Sequence, residues 1–323
     1  MADHADEGDE EVFIYRGGRV PQHITHARID KSIDEIEDHA FEFCEQLLTV
    51  DTHNGLRKIG TRSFYKCMSL RQISLKSVVE IGVSAFYRCE NLEFVEFDRL
   101  ETIRNAAFGF CTSLKHVKLP TITTIGAGVF GKCECITDIE LSERLQMIGY
   151  GAIYDCKSLQ RIAIPLKRGL FVRRTHNQFG NCEQFEFCDQ LATVDIVGGI
   201  HKTVASLHMK SWRTEMIAEI NRINQVLPNT RGNEKANEIQ RWMDSVIDKM
   251  DHYKENHRRY VKEGITLLEL ALWKAKLGEK EESSVEGKTK KAKIDAESAR
   301  KGKRITCGAD MVIKNVLPFL QLE

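Results

Sequence analysis

Residues 81–97 read "IGVSAFYRCENLEFVEF", with apolar side chains at successive intervals of five, three, three, three and two. Neither the helical nor the strand period fits that row as a whole. Residues 59–75, "IGTRSFYKCMSLRQISL", and 103–119, "IRNAAFGFCTSLKHVKL", show the same row. The unit is therefore a repeat of the form I-x4-F-x2-C-x2-L-x2-[IV]-x-[LIF].

The columns extend through seven units. The aromatic column is Phe41, Phe64, Phe86, Phe108 and Phe130, then Ile153 and Phe185, at spacings of 23, 22, 22, 22, 23 and 32. The thiol column is Cys44, Cys67, Cys89, Cys111, Cys133, Cys156 and Cys188. The Leu column runs from Leu47 to Leu191 with Ile136 in the fifth place, and the next column is Val50, Ile73, Val95, Val117, Ile139, Ile162 and Val194.

The tail of each unit, such as "LKHVKL", alternates apolar and polar, as a short strand with one buried face does. The middle, "AFYRC", is too short for a free-standing helix and suits one helical or 3-10 turn with Phe and Cys on one side. A second apolar pair, such as Val78 with Ile81 or Leu100 with Ile103, begins the return to the next strand. The expected fold is an α/β solenoid: parallel strands about 4.8 Å apart with helical or 3-10 turns, each coil burying its neighbour's columns, followed by an α-helical C-terminal module. A buried thiol behaves as a small hydrophobe, so the seven column cysteines are expected to be free core thiols.

The cysteine set three residues before the Leu column, within "IG..AF..C..L..I.L", resembles the BspA-like class of leucine-rich repeats over about residues 24–197. The wider layout is similar to leucine-rich-repeat proteins of unassigned function abundant in diatoms: "YRGG" near the start, a Trp-bearing block after "VDIVGG" and a final "CGADMVIKNVLPFL". That resemblance implies a binding scaffold whose strand face is the contact surface, and it brings no catalytic residue.

Period two sets the residues flanking the Ile/Val column on the open face. They are Gln72 and Ser74, Phe94 and Glu96, His116 and Lys118, Asp138 and Glu140, and Arg161 and Ala163. Glu96, Lys118 and Glu140 alternate in sign along one column and are expected to pair across strands. Phe94 and Arg161 belong to residue types that anchor interfaces. The seventh unit carries an insertion, "KRGLFVRRTHNQFGNCEQ" (167–184), with Gly180 where an Ile is expected. It reads as a capping loop or, through Lys167, Arg168, Arg173, Arg174, His176 and Asn177, as an anion-binding loop.

The expected organisation is an acidic tail (1–11), the array (12–200), a helical hairpin (201–277), a charged disordered linker (278–304) and an apolar segment (305–323) docking on the helices. In the hairpin, Trp212, Met216, Ile220, Ile223 and Leu227 form one stripe and Ile239, Trp242, Val246, Met250, Tyr253, His257 and Tyr260 the facing one. Gly264 marks an expected kink, and "ITLLELALWKAKL" (265–277) is expected either to sit at the centre of the helical module or to be a helix partner site.

With 29% charged residues, 42% hydrophobic residues and a net charge of +0, a whole-molecule grip on nucleic acid or anionic lipid is not expected. No apolar run is long enough for a membrane span, and "MADHADEGDEEVF" lacks basic and apolar leader regions, so an intracellular location, cytoplasmic or nuclear, is expected. No nucleophile elbow, P-loop, dinucleotide fingerprint or zincin motif occurs. The expectation is a non-enzymatic protein-binding scaffold with no catalytic residue, cofactor, metal or small-molecule substrate. The rival reading is a nuclear or nucleic-acid-associated protein using the basic segment 288–304, with Lys290, Lys291, Lys293, Arg300, Lys301, Lys303 and Arg304.

Overall fold

Each repeat forms one coil with a main strand and a short return strand. The computed structural model describes residues 12–172, 183–197 and 210–285. The main strands are Val12–Tyr15, His26–Ile29, Thr49–Asp51, Gln72–Ser74, Phe94–Glu96, His116–Lys118, Asp138–Glu140, Arg161–Pro165 and Thr193–Val197. They pair in parallel as a five-stranded and a four-stranded sheet, interrupted between Phe94–Glu96 and His116–Lys118. The return strands Glu35–Ile36, Lys58–Ile59, Glu80–Ile81, Thr102–Ile103, Thr124–Ile125 and Met147–Ile148 form a third parallel sheet. Parallel pairing follows from the repeat itself, because the same residue returns to the same place one coil later.

The columns are the core. Phe41, Phe64, Phe86, Phe108 and Phe130 are fully buried and stack ring on ring, with centroids 4.9 to 5.7 Å apart. Tyr15, which the repeat pattern does not reach, begins the row 5.1 Å from Phe41.

The thiol column explains why cysteine is used. Cys67, Cys89, Cys111, Cys133 and Cys156 each donate from Sγ, at 3.1 Å, to the backbone carbonyl of the Phe one coil earlier. That carbonyl already accepts the N–H of the cysteine in its own coil, as Phe64 O does from Cys67 N at 3.2 Å. A thiol is small and apolar enough for the core and still fills the second lone pair of a buried carbonyl. All seven column thiols are buried and free. Burial pushes Cys44 up to about 11 and Cys133 up to about 12, and holds Cys67, Cys89, Cys111 and Cys156 well above the ordinary thiol range. They are neutral at physiological pH and poor nucleophiles.

The middle of each unit is not helical. In residues 60–67 three overlapping bonds run from Ser63 N to Gly60 O, Tyr65 N to Arg62 O and Cys67 N to Phe64 O. Between them Arg62, Phe64 and Lys66 donate N–H bonds of 2.8 to 2.9 Å to the next coil. The segment is a run of three overlapping β-turns, the first and last of which have left-handed third residues, Arg62 (φ 52°) and Lys66 (φ 59°). The left-handed residues keep these bonds from winding into the expected 3-10 turn, and the alternate N–H groups bond the next coil instead.

Coil spacing also explains the glycine after the Ile column. A Cβ on Gly149 would lie 2.5 Å from Ala127 N and Gly126 C, whereas one on Gly128 (φ 61°) would meet nothing within 4 Å. Gly149→Ala is therefore expected to cost about 3 kcal/mol through backbone overlap. Gly128→Ala should cost about 1 kcal/mol, from the left-handed backbone alone. Urea titration of the two variants would separate them, and equal losses would contradict the close approach.

The seventh coil is more regular than its spacing suggests. Phe171 bridges Ile148 in parallel and is buried, so it takes the place of the Ile that the sequence reading put at position 180. The extra residues follow Phe171, and 173–182 lie outside the described residues.

Helix α1 (Lys210–Val226) is followed by a 3-10 turn, Leu227–Asn229, and by α2 (Gly232–Val285). The chain divides into two compact units: the array with α1 and α2 as far as Ile247, and a second unit holding α2 from Asp248 onward. In the first unit the helices close the array. In earlier coils the carbonyl after each cysteine accepts an N–H from the next coil, as Glu90 O does from Ser113. In the last coil that carbonyl is Asp189 O, and the buried Lys235 Nζ donates to it at 2.7 Å and to Leu191 O at 2.6 Å. Asn224 Oδ1 accepts the N–H of Val194 at 2.8 Å. The first helix folds back on the second: Met216, Ile223 and Leu227 are buried with Ile239, Trp242 and Val246, and Trp242 donates to Glu219 O.

Within the second unit the expected kink is absent, and of the two alternatives for 265–277 the helix partner site stands while the centre of the helical module does not. Helix α2 passes through Gly264 without a break. Residues 265–273 are not a core among the described residues: Leu267 is 67% and Trp273 62% exposed.

Candidate interaction surface on the strand face

The strand pleat turns the flanking residues outward. Gln72, Ser74, Phe94, Glu96, His116 and Lys118 are exposed, and Asp138, Glu140 and Arg161 are half-buried. Ala163 is buried, a correction to the pattern: it lies opposite Asp195, which Arg161 covers through a 2.5 Å ion pair. Arg161 also holds Asp138 at 2.8 Å, and its two carboxylates raise its pKa, Asp138 first. It clasps three strands together, so its charge is already spent within the array.

The alternating charges pair only in part. Lys118 meets Glu140 at 3.3 Å, but Glu96 turns to Lys76 at 3.0 Å. The cause is the sheet interruption, which removes the strand register that a Glu96–Lys118 pair needs and leaves Val95 half-buried instead of buried like its column.

At the interruption the face opens into a groove of about 1330 Å³, bordered by Thr49, Gln72, Phe94, Glu96, His116 and Lys118. Phe94 is 49% exposed, and the Lys115 ammonium sits 5.1 Å from its ring centroid. Lys115 also bonds Glu93 at 2.5 Å, which lowers the Glu93 pKa. The groove reaches Arg28 and Asp51, which pair at 3.1 Å. The sequence reading missed this end because it started the flanking pairs at Gln72; the same rule applied to Val50 gives Thr49 and Asp51.

Among the described residues no group of three or more His, Cys, Asp or Glu side chains converges on a metal position, and no helix is long and apolar enough to cross a membrane. The basic residues Lys290, Lys291, Lys293, Arg300, Lys301, Lys303 and Arg304, the tail 1–11 and the segment 305–323 lie outside the described residues.

Parallel strands repeated coil upon coil, columns of Phe, Cys and Leu facing inward and a side-chain face left open define a leucine-rich-repeat solenoid. The profile of the BspA type leucine rich repeat region matches in six copies over residues 21–133 and 101–207. The chain belongs to that family.

Among solved structures, a leucine rich repeat protein of T. pallidum is 24% identical, with a TM-score of 0.38 over 57% of this chain and 73% of its own. The pneumococcal vaccine antigen PcpA is 20% identical, with a TM-score of 0.33 over 58% of this chain and 66% of its own. A leucine-rich repeat protein from Bacteroides ovatus is 20% identical, with a TM-score of 0.22 over 54% and 61%. No curated protein matches the chain.

Proposed function

We propose that the chain is a non-enzymatic scaffold that binds another protein through its strand face, with Phe94 as the apolar anchor. The observation that carries this reading is the groove at the sheet interruption, where a large aromatic ring stands half in solvent among polar and charged side chains. Backbone hydrogen bonds hold the strands on either side, so these side chains are presented in fixed positions without ordering a loop on binding. The mixture of one aromatic with both signs of charge suits a protein surface better than a polyanion.

The test is affinity capture from native lysate with the full chain and the variants Phe94→Ser and Phe187→Ser, both at exposed positions. Phe94→Ser should leave the unfolding free energy from urea titration within about 0.5 kcal/mol of wild type and weaken capture about tenfold or more. Phe187→Ser should change neither. A partner held equally well by Phe94→Ser and by His116→Glu would move the binding site off this face.

A further inference from the structure

The turn edge of the array carries a second row of rings outside the core. Phe43, Tyr65, Tyr87 and Phe110 come from four successive coils, with centroids 5.6, 5.4 and 5.2 Å apart. Tyr65 and Tyr87 lie face to face, 5° from parallel. Four cations lie against these rings. Arg62 is 5.4 Å from the Tyr65 centroid, Lys66 is 5.4 Å from Phe43 and 5.9 Å from Tyr65, and Arg88 and Lys132 are each 5.2 Å from Phe110.

These cations differ from most others in the array. Arg16, Arg28, Lys58, Lys76, Arg104, Lys115, Lys118, Lys157 and Arg161 each meet a carboxylate at 3.3 Å or less. Lys132 reaches Asp155 only at 3.9 Å. Arg62, Lys66 and Arg88 form no ion pair among the described residues, and rings alone hold them. Glu42, the carboxylate beside Phe43, is taken by His39 at 2.8 Å and Arg19 at 3.7 Å.

We infer that this edge binds an acidic, extended peptide, with carboxylates seated between Arg62, Lys66 and Arg88 and against the ring edges. Charge complementarity selects an anionic partner, because unneutralised cations held by rings keep their charge for a ligand. Ring geometry selects carboxylates over nucleic acid bases. Base stacking needs a free aromatic face, and Tyr65 and Tyr87 close each other's facing surfaces. Phe43 and Phe110 stand at the outer ends of that pair. An aromatic edge carries the positive part of the quadrupole and favours oxygen anions. The surface is separate from the strand face and does not depend on the strand-face reading.

The backbone supplies a clean variant. Arg62, Lys66 and Arg88 all have positive φ (52°, 59° and 61°), so R62G/K66G/R88G removes the three charges while relieving left-handed strain. Fluorescence anisotropy of a labelled deca-glutamate peptide with the full chain should show saturable binding at low salt, weakened at least tenfold in the triple glycine variant. In K58Q/K157Q, which removes charges elsewhere on the array, binding should persist. Overturning outcomes are no saturation up to about 1 mM peptide, equal binding by the triple variant, or a single-stranded thymidine oligonucleotide bound more tightly than the peptide and lost in the same variant. The third outcome would reassign the edge to nucleic acid. Retention of the wild-type urea midpoint by the triple variant keeps a folding defect from imitating the result.

Discussion

Raising the pH from 8 to about 10 is expected to unfold the array cooperatively. Cys44, Cys67, Cys89, Cys111, Cys133 and Cys156 are buried as neutral thiols with raised pKa values, Cys44 to about 11 and Cys133 to about 12, chiefly through burial. In the unfolded chain a thiol titrates near 9.0. Above that pH the unfolded state releases protons that the folded state keeps. Stability is therefore fully present below about pH 9 and falls as pH rises toward the folded values. Each thiol contributes a loss of about 1.4 kcal/mol at one unit above its unfolded pKa, so six together remove about 8 kcal/mol at pH 10. That is comparable with the whole stability of an ordinary domain, about 5–15 kcal/mol.

Circular dichroism across pH 7 to 11 would show the transition, and Ellman's reagent would show the column thiols silent at pH 8 and reactive together once it occurs. Cys135, which is exposed, should react throughout. Column thiols that react at pH 8 in the folded protein would mean that they are not sealed in the core. Cys111→Ala and Cys111→Val should each reduce the steepness by about one thiol's share while differing in their neutral-pH stability.

Replacing Phe86 by Ala is expected to be the most damaging single truncation. The ring is fully buried, 5.0 Å from Phe64 and 5.1 Å from Phe108. Its removal costs about 3–5 kcal/mol as a core cavity, and the two stacked pairs add about 0.5–1.5 kcal/mol each. Coils touch only their neighbours, so the defect should also localise. Hydrogen exchange is expected to lose protection first in the coils containing Phe64, Phe86 and Phe108, with the coils near Lys235 protected longest. Uniform loss along the chain would argue that the array folds as one indivisible block.

The array was legible because its physics repeats. Phe, Cys and Leu recur every 22 or 23 residues through most of the array, and a side chain that recurs at one period must face its own copy in a stacked fold. The pleat then assigned Gln72, Ser74, Glu96 and Lys118 to the outside without coordinates. What stayed hidden depends on departures from the period. The sheet interruption beside Val95, which opens the groove and sends Glu96 to Lys76, leaves no mark in "NLEFVEF". The place of Phe171 was missed because the insertion was counted from the next Phe and not from Ile148. The outer rings were missed for a related reason. Phe43 and Phe110 precede their cysteines by one residue and Tyr65 and Tyr87 precede theirs by two, so no single column contains them.

The lysine that closes the last coil grips only main-chain oxygens. Such oxygens recur at the same place in every turn of the winding, whatever amino acids decorate it. The terminal helices are thus indifferent to the identity of the coil they sit on. Excising one 22-residue period, for example residues 87–108, should give a shorter protein sealed by the same ammonium, so that length and composition can diverge while the end stays shut.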